Sequence, residues 1–211
     1  MWLKRLFDII WALIGLILLS PFFAAIVIAI KMDSPGSVFF RQGRMGLGGL
    51  SFRIFKFRTM VTHAEKLGTA ITVNRDNRIT RVGRVLRNLK LDEFPQLINV
   101  LLGHMSLVGP RPELPRYREY YSGDFESVLT VRPGITDPAS IKFHDESSLL
   151  DGQNDPETFY IEKILPEKLK IACNYLKRAS LRLDFQIIFL TIGMSFLPSF
   201  LKKYFQLNIG I

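Results

Sequence analysis

Asp92 and Glu93 stand side by side in "KLDEFPQLINVL", ahead of a proline and an apolar run, in a 211-residue chain with 28 Lys+Arg against 19 Asp+Glu. Paired carboxylates are natural ligands for Mg2+, which keeps waters and shares its coordination with substrate phosphates. A carboxylate can also attack phosphorus and carry the transferred group as an acyl phosphate. Lys56 and Arg58 fall on one face of a predicted strand, and Arg111 is restrained between Pro110 and Pro112, which suits a planar clamp on phosphate oxygens. Carboxylates, a metal-ligand pair and fixed cations together fit phosphoryl transfer, where the protein positions groups and neutralises developing charge. A plainer role for Asp92 is a helix N-cap, because a helix mouth favours negative charge and would keep the acid ionised.

The elements that must hold these residues are legible around them. Phe94, Leu97, Ile98, Leu101 and Leu102 share one helical face, Gly103 suits the C-terminal cap, and Pro95 fits the first turn. The stretch "SVFFRQGRMGLGGLSFRIFKFRTM" reads as two short strands around a Gly-rich turn, with Phe55 and Phe57 on one face and Ile54, Lys56 and Arg58 on the other. No Lys-Ser/Thr follows those glycines, which argues against a P-loop. Arg75, Arg78, Arg81, Arg84, Arg87 and Lys90 recur every third position and drift around a helix; the reading is a solvated helix with Val82, Val85, Leu86 and Leu89 inward and a subset of arginines facing headgroups. "VGPRPELP" and "VRPGITDP" read as Pro-rich loops, and Glu167 to Arg178 as a helix burying Leu169, Cys173 and Leu176. His63, His104 and His144 show no metal-ligand spacing, and the single cysteine excludes an intrachain disulfide, in keeping with a reducing compartment.

The net charge of +9 and pI near 9.8 call for an anionic partner, while 48% hydrophobic residues and a mean hydropathy of +0.18 favour a membrane surface over nucleic acid, for which no recognition motif is present. Ile9 to Ile30 carries no charge and is long enough to cross a bilayer core of about 30 Å. Ser20-Pro21 interrupts it midway, and Lys4 and Arg5 before it, with Lys31, Arg41 and Arg44 after it, pull both ends toward the cytoplasm. Two forms fit, a kinked spanning anchor and a re-entrant hairpin. A second uncharged segment, Phe185 to Leu201, is marginal for spanning and reads as an interfacial helix with Lys202 and Lys203 at headgroup level.

Five ordered segments carry a resemblance: Ser20-Pro21 in its apolar context, "KFRTM" from Lys56, "LDEFPQLINVL" from Leu91, "MSLVGPRP" from Met105 and "VRPGIT" from Val131. The chain resembles the bacterial sugar transferase family, the monotopic polyprenyl-phosphate phosphoglycosyl transferases, in the small form made of the catalytic domain alone. The resemblance implies an α+β, mainly helical, membrane-associated fold: a re-entrant helix hairpin over 1–34 broken at Ser20 and Pro21, and a catalytic domain over 35–211 with a small β-hairpin and interfacial amphipathic helices, integrated into one domain. It implies transfer of a phosphosugar from a UDP-sugar to polyprenyl (undecaprenyl) phosphate with release of UMP, at the cytoplasmic face of the bacterial inner membrane, as the first membrane step of polysaccharide or glycoconjugate assembly. Asp92 would be the nucleophile and Glu93 its partner, both near Mg2+, with Lys56, Arg58 and Arg111 binding phosphate. Many family members read "SLDE" and "GDMS" where this chain has Lys90 and His104, and Asp137-Pro138-Ala139-Ser140 departs from the usual continuation, which bears on the sugar. Membrane lipids are expected partners, nucleic acid is not, and homo-oligomerisation stays open. The alternative is a non-catalytic basic adaptor that binds anionic lipid through its arginines.

Overall fold

The computed structural model describes residues 2–64 and 76–196; Arg75, Pro198, Lys202 and Lys203 lie outside them. Most of the chain is helical, around two small sheets. The N-terminal apolar segment forms one helix, α1 (Trp2–Asp33), which runs through Ser20-Pro21 rather than breaking there. The local chemistry explains the continuity. Pro21 lacks the N–H that would bond the Ile17 carbonyl one turn back. Ser20 Oγ donates to that same carbonyl at 2.8 Å and replaces the lost bond.

Polar residues at both ends of α1 are tied to the rest of the chain. Lys4 Nζ pairs with Asp184 at 2.5 Å, and Asp8 accepts from Ser106 Oγ at 3.0 Å and from the Leu107 amide at 3.1 Å. Arg5 donates to the carbonyls of Val100 and Leu101 at 2.7 and 3.1 Å, at the C-terminal end of the helix Gln96–Leu101. At the far end, Asp33 accepts from the Val82 amide at 3.0 Å, and Lys31 Nζ donates to the Gly36 carbonyl at 2.9 Å. Between these ties Ile17, Leu18 and Phe22 are each more than 60% exposed, an apolar surface of a kind that marks an interaction face. Among the described residues α1 is the one helix long and apolar enough to cross a membrane.

Strands β1 (Phe39–Met45) and β2 (Ser51–Phe57) pair antiparallel, Phe39 with Phe57 and Met45 with Ser51. Gly48 and Gly49 close the turn at positive φ, the hairpin expected from the sequence. Helix α2 (Arg81–Asn88) starts on a Thr80 cap, and α3 (Gln96–Leu101) follows. Val82 and Leu86 face in, but Val85 and Leu89 are exposed, because α2 docks through its glycine face: Gly83 lies directly on the Thr59 carbonyl. Asn99, fully buried, ties α3 to β2 by accepting from the Phe55 amide at 2.8 Å and donating to the Arg53 carbonyl at 2.9 Å.

Of the two stretches read as Pro-rich loops, Val108 to Pro115 is a loop between its end residues, while Val131 to Pro138 holds a short strand: β4 (Gly134–Thr136) pairs parallel with β3 (Ser106–Val108), with Gly134 backed against Gly109 so closely that a Cβ there would strike backbone. The chain continues through α4 (Pro138–Lys142), α5 (Glu146–Leu150), α6 (Pro156–Phe159), a π turn at Tyr160–Ile164, α7 (Leu165–Arg178) and α8 (Leu181–Phe196). Helix α7 buries Leu165, Leu169, Ala172 and Tyr175, with Cys173 and Leu176 half-buried beside them. Asp184 at the start of α8 is buried and accepts from Tyr175 Oη at 2.6 Å as well as from Lys4.

Candidate active site

Lys90 adopts the left-handed backbone region (φ 57°), which is costly for a residue with a Cβ and turns the chain sharply after α2. A tight 3-10 turn, Leu91–Glu93, follows, and α3 is capped by Pro95 without any side-chain bond. Asp92 is therefore not an N-cap, and Pro95 stands at the cap rather than inside the first turn. The reason is steric: the reversal at Lys90 consumes the residues that would have formed a longer helix mouth.

The two acids have opposite surroundings. Asp92 is buried, and none of the hydrogen bonds or ion pairs among the described residues engages its carboxylate. Burial pushes its carboxyl above the usual range, with Lys56 pulling down, Glu93 pushing up and Arg87 and Lys90 pulling down. Burial also works against Glu93, but Arg111 and Lys56 overcome it and hold that carboxyl well below the ordinary range. Glu93 Oε1 receives Lys56 Nζ at 2.7 Å and Arg111 Nη2 at 2.6 Å, and its Oε2 receives Arg111 Nη1 at 3.3 Å. The expectation that a helix mouth keeps Asp92 comfortably ionised gives way to a burial effect, partly offset by nearby cations.

Lys56, Glu93 and Arg111, three of the residues expected at one site, thus meet beside Asp92. Arg58 does not join them. It follows the end of β2, and its guanidinium donates to the carbonyls of Ser34, at 2.8 Å, and Pro35, locking the turn after α1. Arg87, read as one of a solvated series, turns inward: its Nε donates to Thr59 Oγ1 at 2.9 Å, and its charge acts on Asp92. Nothing in a three-residue arginine period singles out Arg87; the docking of Gly83 does. The acids fit a divalent cation in part. Among the described residues the Asp92 oxygens have no partner and Glu93 adjoins them, while no group of three or more His, Cys, Asp or Glu side chains gathers to form an all-protein cage.

Glu93 and Arg111 open onto a cleft of about 900 Å3. Leu19, Phe22 and Ile26 of α1 give it an apolar lining, and Ser140, Glu146 and Lys168 also line it. An apolar wall with a few convergent charged groups is the usual make-up of a small-molecule site.

A mainly helical fold that sets one acid, Glu93, between two cations on an apolar cleft, with the buried Asp92 beside it, is the architecture in hand. The model of the bacterial sugar transferase family matches residues 1–197, and the chain belongs to that family. It is 40% identical over 198 residues to the UDP-glucose:undecaprenyl-phosphate glucose-1-phosphate transferase of Escherichia coli (strain K12), covering 92% of this chain and 40% of that protein. Over 193 residues it is 38% identical to the UDP-N-acetylgalactosamine-undecaprenyl-phosphate N-acetylgalactosaminephosphotransferase of Aeromonas hydrophila, covering 90% of this chain and 43% of that protein. A UDP-glucose:undecaprenyl-phosphate glucose-1-phosphate transferase of Caulobacter vibrioides is 36% identical over 192 residues, covering 90% of this chain and 68% of that protein. The chain spans about two fifths of the length of the first two.

Proposed function

We propose that this chain transfers a phosphosugar from a UDP-sugar to undecaprenyl phosphate, through a covalent intermediate on Asp92. The observation that carries the reading is the asymmetry of the acid pair: Glu93 is bound by two cations, while the Asp92 carboxylate beside it has no hydrogen bond or ion pair among the described residues. The names of the relatives support the donor and acceptor classes.

In the first step an Asp92 oxygen attacks the phosphorus that bears the sugar. The bond from that phosphorus to the bridging oxygen breaks, the electron pair stays on that oxygen, and UMP leaves. In the second step an oxygen of undecaprenyl phosphate attacks the same phosphorus and displaces Asp92, giving the polyprenyl-diphosphate sugar. Lys56 and Arg111 face the charge that develops on the phosphoryl oxygens, a task suited to fixed cations in a site with little water. Glu93 positions both. Mg2+, completed by substrate phosphate oxygens, would be held by Asp92 with Glu93 beside it, and would neutralise phosphate charge when bound. The apolar wall from α1 suits a polyprenyl acceptor.

The same reading puts the site at the cytoplasmic face of the bacterial inner membrane, with α1, unbroken as a helix, bending at Pro21 so that it dips into the bilayer and returns. Its support is that residues at both ends of α1 bond to the same domain, which a straight span would separate by the core thickness of about 30 Å. Purified protein with undecaprenyl phosphate, Mg2+ and a series of UDP-sugars should release UMP, and Asp92→Asn should abolish it. A variant with full turnover would overturn the nucleophile assignment.

A further inference from the structure

The cleft lined by Glu93 and Arg111 also holds a second polar cluster that the transfer chemistry leaves unused. Lys168 of α7 is 7% exposed, yet it lines the cleft. A buried ammonium needs partners, and three surround it: an ion pair with Glu146, a Glu113 oxygen at 3.7 Å, and Tyr160 Oη at 3.2 Å. Tyr160 in turn donates to Glu113 at 2.6 Å.

The backbone is altered to build this cluster. Tyr160 and Lys168 are eight residues apart, which on a regular α-helix leaves them about 80° out of line. The π turn at Tyr160–Ile164 absorbs an extra residue and brings them onto one face; such turns often mark functional sites. The cluster is also joined to the phosphate side of the cleft. Glu113 lies two residues after Arg111, and Asp137 accepts from both the Arg111 amide at 3.3 Å and the Ser140 amide at 2.7 Å.

Polar capacity is left over on the cleft wall. Ser140 Oγ is buried and has no hydrogen-bond partner among the described residues. The second carboxylate oxygen of Glu146 has no bond among the described residues, and Glu146 remains 30% exposed. A hydroxyl, a carboxylate oxygen and a held ammonium, with the Phe143 ring nearby on the same cleft, match a pyranose: hydroxyls to bond and a C–H face to cover.

We propose that Ser140, Glu146 and Lys168 form the subsite that reads the hydroxyls of the transferred sugar; this rests on the transferase reading above. The test measures kcat/KM for UMP release from UDP-glucose, UDP-galactose and their N-acetylated counterparts in the parent, Glu146→Gln and Ser140→Ala, with inhibition by UDP as a measure of nucleotide binding without sugar. A site built to bond a hydroxyl discriminates strongly, so the ratio between epimeric donors should shift by about tenfold or more in at least one variant while UDP inhibition stays within about twofold. Ser140→Ala removes only an unpartnered oxygen, so it keeps the test open if Glu146→Gln fails to fold. Parental donor ratios in the folded variants, or equal losses for every donor and for UDP, would overturn the subsite and leave the transferase reading standing. A parent that releases UMP from no donor would overturn the transferase reading, and the subsite with it.

Discussion

At the residue scale, Asp92 and Glu93 should move stability in opposite directions with pH. A carboxyl whose folded pKa is raised stabilises the fold only while protonated. For Asp92 that contribution is present below the ordinary value near 3.9 and is lost as pH rises through the folded one, so at pH 7 the charged form strains the site. Asp92→Asn should therefore melt higher than the parent at pH 7, by roughly 2 to 4 °C per kcal/mol relieved, and the gap should close as pH falls. Glu93 is depressed, so its contribution is present above about 4.3 and is lost as pH falls through its folded pKa; Glu93→Gln should melt lower at pH 7. Circular-dichroism melts across pH 4 to 8 would decide, and an Asp92→Asn that melts lower at pH 7 would contradict the burial argument. The same logic places the acid limb of kcat/KM above the ordinary aspartate range, with no limb from Glu93. The pair itself was readable from composition and spacing. Its asymmetry was not, because it depends on Lys56 and Arg111, 37 and 18 residues away from Glu93.

At the element scale, α2 matters for where it delivers Arg87. A Cβ on Gly83 would sit 2.0 Å from the Thr59 carbonyl oxygen, a backbone atom that cannot swing aside. Gly83→Ala should push α2 off the Thr59 backbone that follows β2, cost about 1 to 3 kcal/mol, and lower UMP release beyond what the stability loss explains, since Arg87 leaves Thr59. Unchanged melting would show that α2 docks less tightly than its contacts indicate. Helix α1 carries a second test. In a Cys173→Ser background, Leu3→Cys and Met32→Cys should both label with an impermeant maleimide from the cytoplasmic side of oriented vesicles; labelling from opposite sides would make α1 a span. The hairpin and the helical face of α3 were legible because alternation and period state which side a residue takes. They do not state which neighbour waits there, so Arg58 was read toward the phosphates and found its partners in the Ser34-Pro35 turn. The β3–β4 pair escaped because each strand is three residues long, too short to show alternation beside its prolines.

At the scale of the whole molecule, charge and apolar surface make competing claims on how the chain meets a bilayer. The +9 net charge would hold it to anionic lipid at about 1 kcal/mol for each basic residue near the surface. That attraction is screened: the Debye length shrinks from about 10 Å at 0.1 M salt to about 3 Å at 1 M. The exposed side chains of α1 act independently of salt. Leu3, Leu6, Ile17, Leu18, Phe22 and Ile28 alone, at about 1.5 to 3 kcal/mol for each full burial, exceed what several surface cations retain at high salt. Phe189 on α8, 79% exposed, adds to the same term. Membranes carrying the protein and washed with 1 M salt should therefore keep nearly all of it, and detergent should release it. Release by salt alone would mean that charge, not α1, provides the attachment, and would favour the basic adaptor over an enzyme that must hold a polyprenyl chain beside Phe22.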